Sequence, residues 1–242
     1  MRIEFLGTSH GRPEPNRKCS CILVEVAGAY YFFDMGMQAG EQLITQGIPA
    51  EAIRAVFITH MHIDHTSGLP SFLALCADYY KAAAPRLFIP GDTEGVKAGL
   101  GAFLACNGIT RPTGLPFFPV AEGELYADEH IRVRAYRTKH TDASYAYLIE
   151  AEGRRVLISG DLSHRPQEDF PIAALTPTLD LAICECAHFE ATEYLPILAG
   201  RAPRRLCFTH YSERLLPTVL AMQGHLANVP VMRAQDGTVI TL

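Results

Sequence analysis

Short apolar runs bounded by glycine and polar clusters dominate the N-terminal third of the chain. They predict strands near residues 3–6, 21–26, 30–34 and 55–59, with turns at Gly28 and Gly36. The periodicity then changes, and a helix is predicted over residues 39–46. A second helix follows in SGLPSFLALCADYYKA, where apolar residues recur at spacings of three and four behind a Ser, Gly and Pro entry. RLFIPG reads as strand and turn, and TEGVKAGLGAFLACNG as a helix weakened by its glycines. Beyond a proline-rich connection, IRVRAYRT, SYAYLIEAEG and RRVLISGD give three consecutive strand signals. LDLAICE, RRLCFTH and a helix near residues 215–224 complete the pattern. Strands thus come in two sets, each trailed by helices, with no low-complexity linker between them. The pattern predicts an α/β chain with two sheets packed face to face and helices outside.

Composition sets the frame for this pattern. A chain of 242 residues, 48% hydrophobic, can bury a substantial core. The formal net charge is −5 and the 21 Lys and Arg are spread along the chain, so nucleic acid is not the favoured partner. The opening MRIEFLGTSHG alternates like a strand and lacks a signal-type apolar region, and no window offers the roughly 18 apolar residues of a membrane span. A cytoplasmic protein without a membrane partner is the expectation; oligomeric state is not legible. Seven cysteines, an odd count, suit reduced thiols. Cys19 with Cys21, and Cys184 with Cys186, are separated by a single residue, whereas zinc thiolates more often have two to four between them; these four read as buried apolar residues.

The chemistry concentrates in ITHMHIDHTSG, where three histidines and an aspartate occupy six positions at the end of the apolar run AVFIT. His60 and His62 can turn toward one point, and Asp64 and His65 toward a second beyond it. The same design recurs downstream: VLIS opens into Gly160-Asp161, LCFT opens into His210, and His140 stands at the start of another strand. The donors sort into two sites, one of His60, His62 and His140, the other of Asp64, His65 and His210. Asp161 can bridge them, since one carboxylate can share its oxygens between cations roughly 3.5 to 4 Å apart. Nitrogen and oxygen donors suit two zinc ions and allow manganese or iron. His10, His130, His164 and His225 read as ordinary surface or core residues, although His10 and His164 border motif loops.

The order His60-x-His62-x-Asp64-His65, His140, Asp161, His210 resembles the metallo-β-lactamase superfamily across nearly the whole chain. The resemblance implies a single αββα sandwich over residues 1–242 with the metals at one sheet edge. It also implies that Asp34 in FFDMG supports the metal loop. β-Lactamases of the superfamily tend to carry cysteine where Asp161 stands, and flavin-linked diiron members carry glutamate where His62 stands. FLGTSHGRPEPNRKCSCILVE is similar to the start of ribonuclease Z and related phosphodiesterases. Ribonuclease Z inserts a tRNA-gripping arm between its third histidine and bridging aspartate, yet His140 and Asp161 are only 21 positions apart, with a simple hairpin predicted between them. Where that family has a catalytic His-Glu-Ala-Thr segment, this chain has CECAHFEAT, which makes His188 and Glu185 the candidate proton donors. Arm-less cyclic phosphodiesterases fit the length and charge better.

The resemblance therefore implies a metal-dependent hydrolase in which a hydroxide shared by two cations attacks phosphorus in line. Asp64, His188 and Glu185 form the catalytic set, and the substrate is a small or cyclic phosphodiester. Hydrolysis of a carbonyl ester, lactone or thioester on the same site is the alternative, ahead of tRNA 3′ processing or a noncatalytic metal-binding role.

Overall fold

The alternating stretch after Met1 forms β1 (Arg2–Gly7), which pairs antiparallel with β2 (Cys21–Val26), which in turn pairs antiparallel with β3 (Ala29–Phe33). From there the sheet grows in parallel through β4 (Ile53–Phe57), β5 (Arg86–Ile89) and β6 (Phe117–Pro119). Parallel neighbours need crossovers. These include α1 (Ala39–Thr45), the consecutive α2 (Ile63–Thr66) and α3 (Leu69–Asp78), and α4 (Thr93–Cys106). The computed structural model describes residues 1–37, 39–110 and 114–242; residues 111–113 of the predicted proline-rich connection lie outside the described residues.

The second sheet repeats this plan. β7 (Gly123–Ala127), β8 (Arg132–Thr138), β9 (Ser144–Ala151) and β10 (Arg154–Ile158) run antiparallel, and β11 (Leu181–Cys186), β12 (Leu206–Tyr211) and β13 (Val231–Arg233) add in parallel. α5 (Leu195–Leu198) and α6 (Leu216–His225) flank it, and β14 (Val239–Thr241) returns to pair with β1 in the first sheet. Each sheet has seven strands among the described residues.

Three apolar layers hold the sheets and helices together. Between the sheets lie Phe5, Phe33, Phe57, Tyr147 and Ile183, with Phe57 stacked on Phe33 and on Phe88 at centroid distances of 4.9 Å. Phe32 and Phe72 anchor the outer layer of the first sheet, and Tyr194 and Phe208 that of the second. The predicted αββα sandwich is thus the observed one. Cys19, Cys21, Cys184 and Cys186 are buried free thiols, as their spacing suggested. Among the described residues no helix is long and apolar enough to cross a membrane.

The predicted strand over residues 55–59 is displaced. The ladder with β3 begins at Ile53 and ends at Phe57. Beyond it the chain turns to the other sheet, where Ile58 O accepts from the Tyr147 hydroxyl at 2.6 Å and Thr59 O from the Tyr145 N–H at 2.9 Å. These two bonds fasten the sheets together immediately before His60. β6, β7, β13 and β14 carried no clear sequence signal, because three of them have only three residues and each lies at or next to a sheet edge.

A second fastening joins the sheets through Asp128. Its Oδ2 accepts from the hydroxyls of Tyr31 on β3 and Tyr126 on β7, each at 2.7 Å, while Oδ1 accepts from the backbone N–H groups of His130 and Ile131. Burial raises the Asp128 pKa, but the hydrogen bonds from Tyr31 and Tyr126 outweigh it and the net shift is downward. A lowered folded pKa contributes stability that is present above the ordinary carboxylate range and lost as pH falls through the folded value. Asp128→Ala is expected to cost about 2 kcal/mol, because buried donors lose their acceptor. Chemical denaturation at pH 7 and at pH 3 checks this, and the gap between variant and wild type should narrow at the lower pH.

Candidate metal centre

The site is assembled at the ends of strands. His60 follows the exit from β4, and the single turn of α2 presents Asp64 and His65. Across the seam, β8 leads to His140, β10 to Asp161, and β12 carries His210 near its end. Two glycines permit the approach of these loops. A Cβ on Gly36 would stand 1.7 Å from the Asp64 carbonyl oxygen, and one on Gly160 would stand 2.8 Å from Tyr145 O. Gly160 also has φ of +58°, a conformation natural to glycine.

All seven donors named from the sequence converge. His62 Nδ1 lies 2.9 Å from His60 Nε2 and 3.1 Å from His140 Nε2. In the second group, Asp64 Oδ2 lies 3.4 Å from His65 Nε2 and 3.6 Å from His210 Nε2. Asp161 stands between them: Oδ2 is 3.7 Å from both His60 and His140 and 3.2 Å from His210, and Oδ1 is 3.4 Å from His65. Bonds of 2.0–2.1 Å in a tetrahedral site imply ligand atoms about 3.4 Å apart, so these separations are those of ligands around a cation. Their partnering says the same. His65 Nε2 and Asp161 Oδ1 are buried with no hydrogen-bond partner among the described residues, as atoms reserved for a metal would be. The donor set therefore fits divalent metal ions such as zinc.

Three of the rings are tied down at their other nitrogen, which fixes which atom faces the centre, whereas His210 Nδ1 is buried with no hydrogen-bond partner among the described residues. His65 Nδ1 is 2.6 Å from Asp34 Oδ2, His60 Nδ1 is 3.1 Å from the Thr59 hydroxyl, and His140 Nδ1 is 3.2 Å from Leu162 O. Asp34 supports the metal loop as expected: besides His65, it accepts from the Thr59 N–H at 2.7 Å and the Thr59 hydroxyl at 3.0 Å. Asp34 and His210 adopt left-handed φ of 60° and 47°, conformations costing about 1 kcal/mol or more for a residue with a side chain. Surrounding contacts hold both in place.

Electrostatics prepare the donors. Burial, aided by repulsion from His65, lowers His60 to about 2, which leaves its nitrogen free to bind a metal. Burial also lowers His140. For His65 the penalty of burial is overcome by Asp161 and Asp34, which raise its pKa well above the ordinary value. Asp64 and Asp161 are lowered because His65 and His210 outweigh burial. In effect protons occupy a charge position that a cation would take.

His188 borders the centre, with Nε2 3.8 Å from Asp161 Oδ2 and Nδ1 2.8 Å from Glu185 Oε1. Glu185 is fully buried, and its oxygens also accept from the N–H groups of Leu162 and Ala187. His164 and His10 stay outside the donor groups; their rings meet His188 O and Glu14 respectively. Sequence reading missed Asp169, a buried carboxylate that receives the N–H groups of Lys139 and Ser163 and so braces the loops carrying His140 and Asp161. It sits in an irregular stretch with no local signal.

Comparison with known proteins agrees with this geometry. The family model described as anti-Pycsar protein Apyc1 matches residues 1–217. Ribonuclease BN of Erwinia tasmaniensis is 31% identical over 153 residues, which is 62% of this chain and 49% of that protein. The chain spans about half the length of the curated relatives it matches. Among solved structures, the metallo-β-lactamase-fold protein YhfI from Bacillus subtilis superposes with a TM-score of 0.78 at 18% identity, covering 99% of this chain and 98% of that one. The short form of human tRNase Z gives 0.75 at 22% identity, covering 100% and 99%. These likenesses show the fold.

Asp34 generates a direct test. Asp34→Ala leaves His65 without its anchor and is expected to weaken metal retention by roughly 10- to 100-fold. Competition of zinc-loaded protein against a chelator checks it, and retention equal to wild type would remove Asp34 from the support of the site.

Proposed function

Because the chain belongs to the anti-Pycsar Apyc1 family, has the metallo-β-lactamase fold and gathers seven metal-type donors at one sheet edge, we propose that it is a metal-dependent hydrolase, specifically a phosphodiesterase. In this reading it binds two zinc ions and cleaves small or cyclic phosphodiesters. His60, His62 and His140 would hold one ion, Asp64, His65 and His210 the other, and Asp161 would reach both. When bound, the ions supply the Lewis acidity that makes water nucleophilic near neutral pH and offsets charge on the phosphate.

The observation that carries the reading is His188, poised beside the carboxylate that both donor groups share. Burial lowers its pKa, yet the hydrogen bond and charge of Glu185 outweigh this and raise it to about 9. Glu185 thus favours the protonated ring. With Nδ1 engaged by Glu185, Nε2 is the atom that delivers the proton to a departing alkoxide. Glu185 accepts at both oxygens, so of the two candidate donors it orients and His188 donates. The chain between His140 and Asp161 contains β9, β10 and a short turn, with no room for a tRNA-gripping arm. Together with the net charge of −5, this favours small substrates over pre-tRNA.

A substrate panel on zinc-supplied protein tests the reaction class. Bis-p-nitrophenyl phosphate and a 2′,3′-cyclic nucleotide should turn over, while a lactone and a thioester should not; the opposite pattern would establish the carbonyl-hydrolase alternative. Elemental analysis should find two zinc ions per chain, and a maximum of one would reject the shared role of Asp161. His188→Ala should keep both ions and lose roughly 10² to 10⁴ in turnover of an alkyl diester. It should stay near wild type on a p-nitrophenyl ester, whose leaving group needs no proton. Equal loss on both esters would assign the proton to another group.

A further inference from the structure

A cleft of about 500 Å³ opens beside Asp64, within the size range of small-molecule sites. One wall is the loop over residues 8–19, which contributes Gly11 and Pro13; the other is formed by Met37 and Ile63. The loop passes close to the metal ligands, since a Cβ on Gly11 would lie 4.0 Å from Asp64 Oδ2. It is also firmly held. Asp236 accepts from Thr8 N at 3.0 Å and from Lys18 N at 2.7 Å, clamping both ends. The buried Arg17 stacks on the Tyr211 ring at 4.0 Å while pairing with Glu14. Ile63 faces this wall with 71% of its surface exposed, although it sits between two metal-ligand residues in the sequence. Lys18 and Glu41 add one charge of each sign to the lining.

From this arrangement we infer that the cleft binds the ester group that stays on phosphorus, that this group is apolar and ring-sized, and that Ile63 sets the preference for it. The inference rests on the phosphodiesterase reading. In an in-line displacement the entering and leaving oxygens lie on opposite sides of phosphorus and the retained ester points sideways. His188 marks the leaving side, and neither it nor His140 lines the cleft. The cleft meets the site at Asp64 instead, so the retained group has a separate place, between the apolar walls of Pro13, Met37 and Ile63.

Two diesters with a common leaving group isolate this subsite: phenyl p-nitrophenyl phosphate and methyl p-nitrophenyl phosphate. Zinc-loaded wild type should prefer the phenyl ester in kcat/KM by about tenfold, the scale of an apolar contact in a pocket. Ile63→Ser should bring the ratio close to one, chiefly through KM, with metal content unchanged. Calorimetry should show the same loss of discrimination between phenylphosphonate and methylphosphonate. If Ile63→Ser sheds metal, Pro13→Ser on the opposite wall carries the same expectation. A ratio unchanged from wild type in the metal-retaining variant overturns the subsite and leaves the phosphodiesterase reading intact. Failure to hydrolyse either diester overturns that reading and the subsite with it.

Discussion

The carboxylate of Asp34 is the contact on which the first half of the site depends. Its two oxygens gather the backbone and hydroxyl of Thr59 and the ring of His65, so the ends of β3 and β4 and the turn of α2 converge on one buried charge. A charge buried this deeply is stable only when fully partnered, and each partner is held in turn. The left-handed φ of Asp34 aims the carboxylate inward from the strand end, and the Asp34 N–H remains bonded to Phe57 O. The ligand loop thus has little freedom to relax.

The second sheet solves the same problem with Glu185 and Asp169. Glu185 collects Leu162, Ala187 and His188, which links the loop after Asp161 to the loop after β11. Asp169 links that same loop to the one bearing His140. The donors on each sheet are therefore braced from within that sheet, while each donor group draws on both. The two sheets are brought into register by the bonds from Tyr145 and Tyr147 to the residues just before His60. Separation into two halves joined by few bonds explains why the donors lie at the C-terminal ends of β4, β10 and β12, where parallel strands release their chains toward a common edge.

These supports also divide the labour around Asp161. On one side His188 is held by Glu185 with a free nitrogen toward the centre, and on the other the clamped loop over residues 8–19 faces Ile63. In the proposed reading, proton delivery and recognition of the organic group fall on different elements. A change in one can then be made without disturbing the other.

Much of this was legible in the sequence for a local reason. Four donors within six residues at the end of an apolar run restrict where a cation can sit, and two strand sets with trailing helices imply a layered sandwich. The convergence of the candidate donors was readable because His60, His140, Asp161 and His210 stand at or near the ends of apolar strands, and His62, Asp64 and His65 follow within five residues of His60. Asp34 was readable because it lies in a motif next to Gly36. What the sequence could not supply was decided between distant segments. The departure of Ile58 and Thr59 from the ladder depends on Tyr147, 89 positions downstream of Ile58, and Tyr145, 86 positions downstream of Thr59. The bonding of Glu185 depends on the N–H of Leu162, and the cleft wall over residues 8–19 is clamped by Asp236 from the far end of the chain. A buried carboxylate is given its function by the groups that fold around it, and those groups have no fixed spacing in sequence.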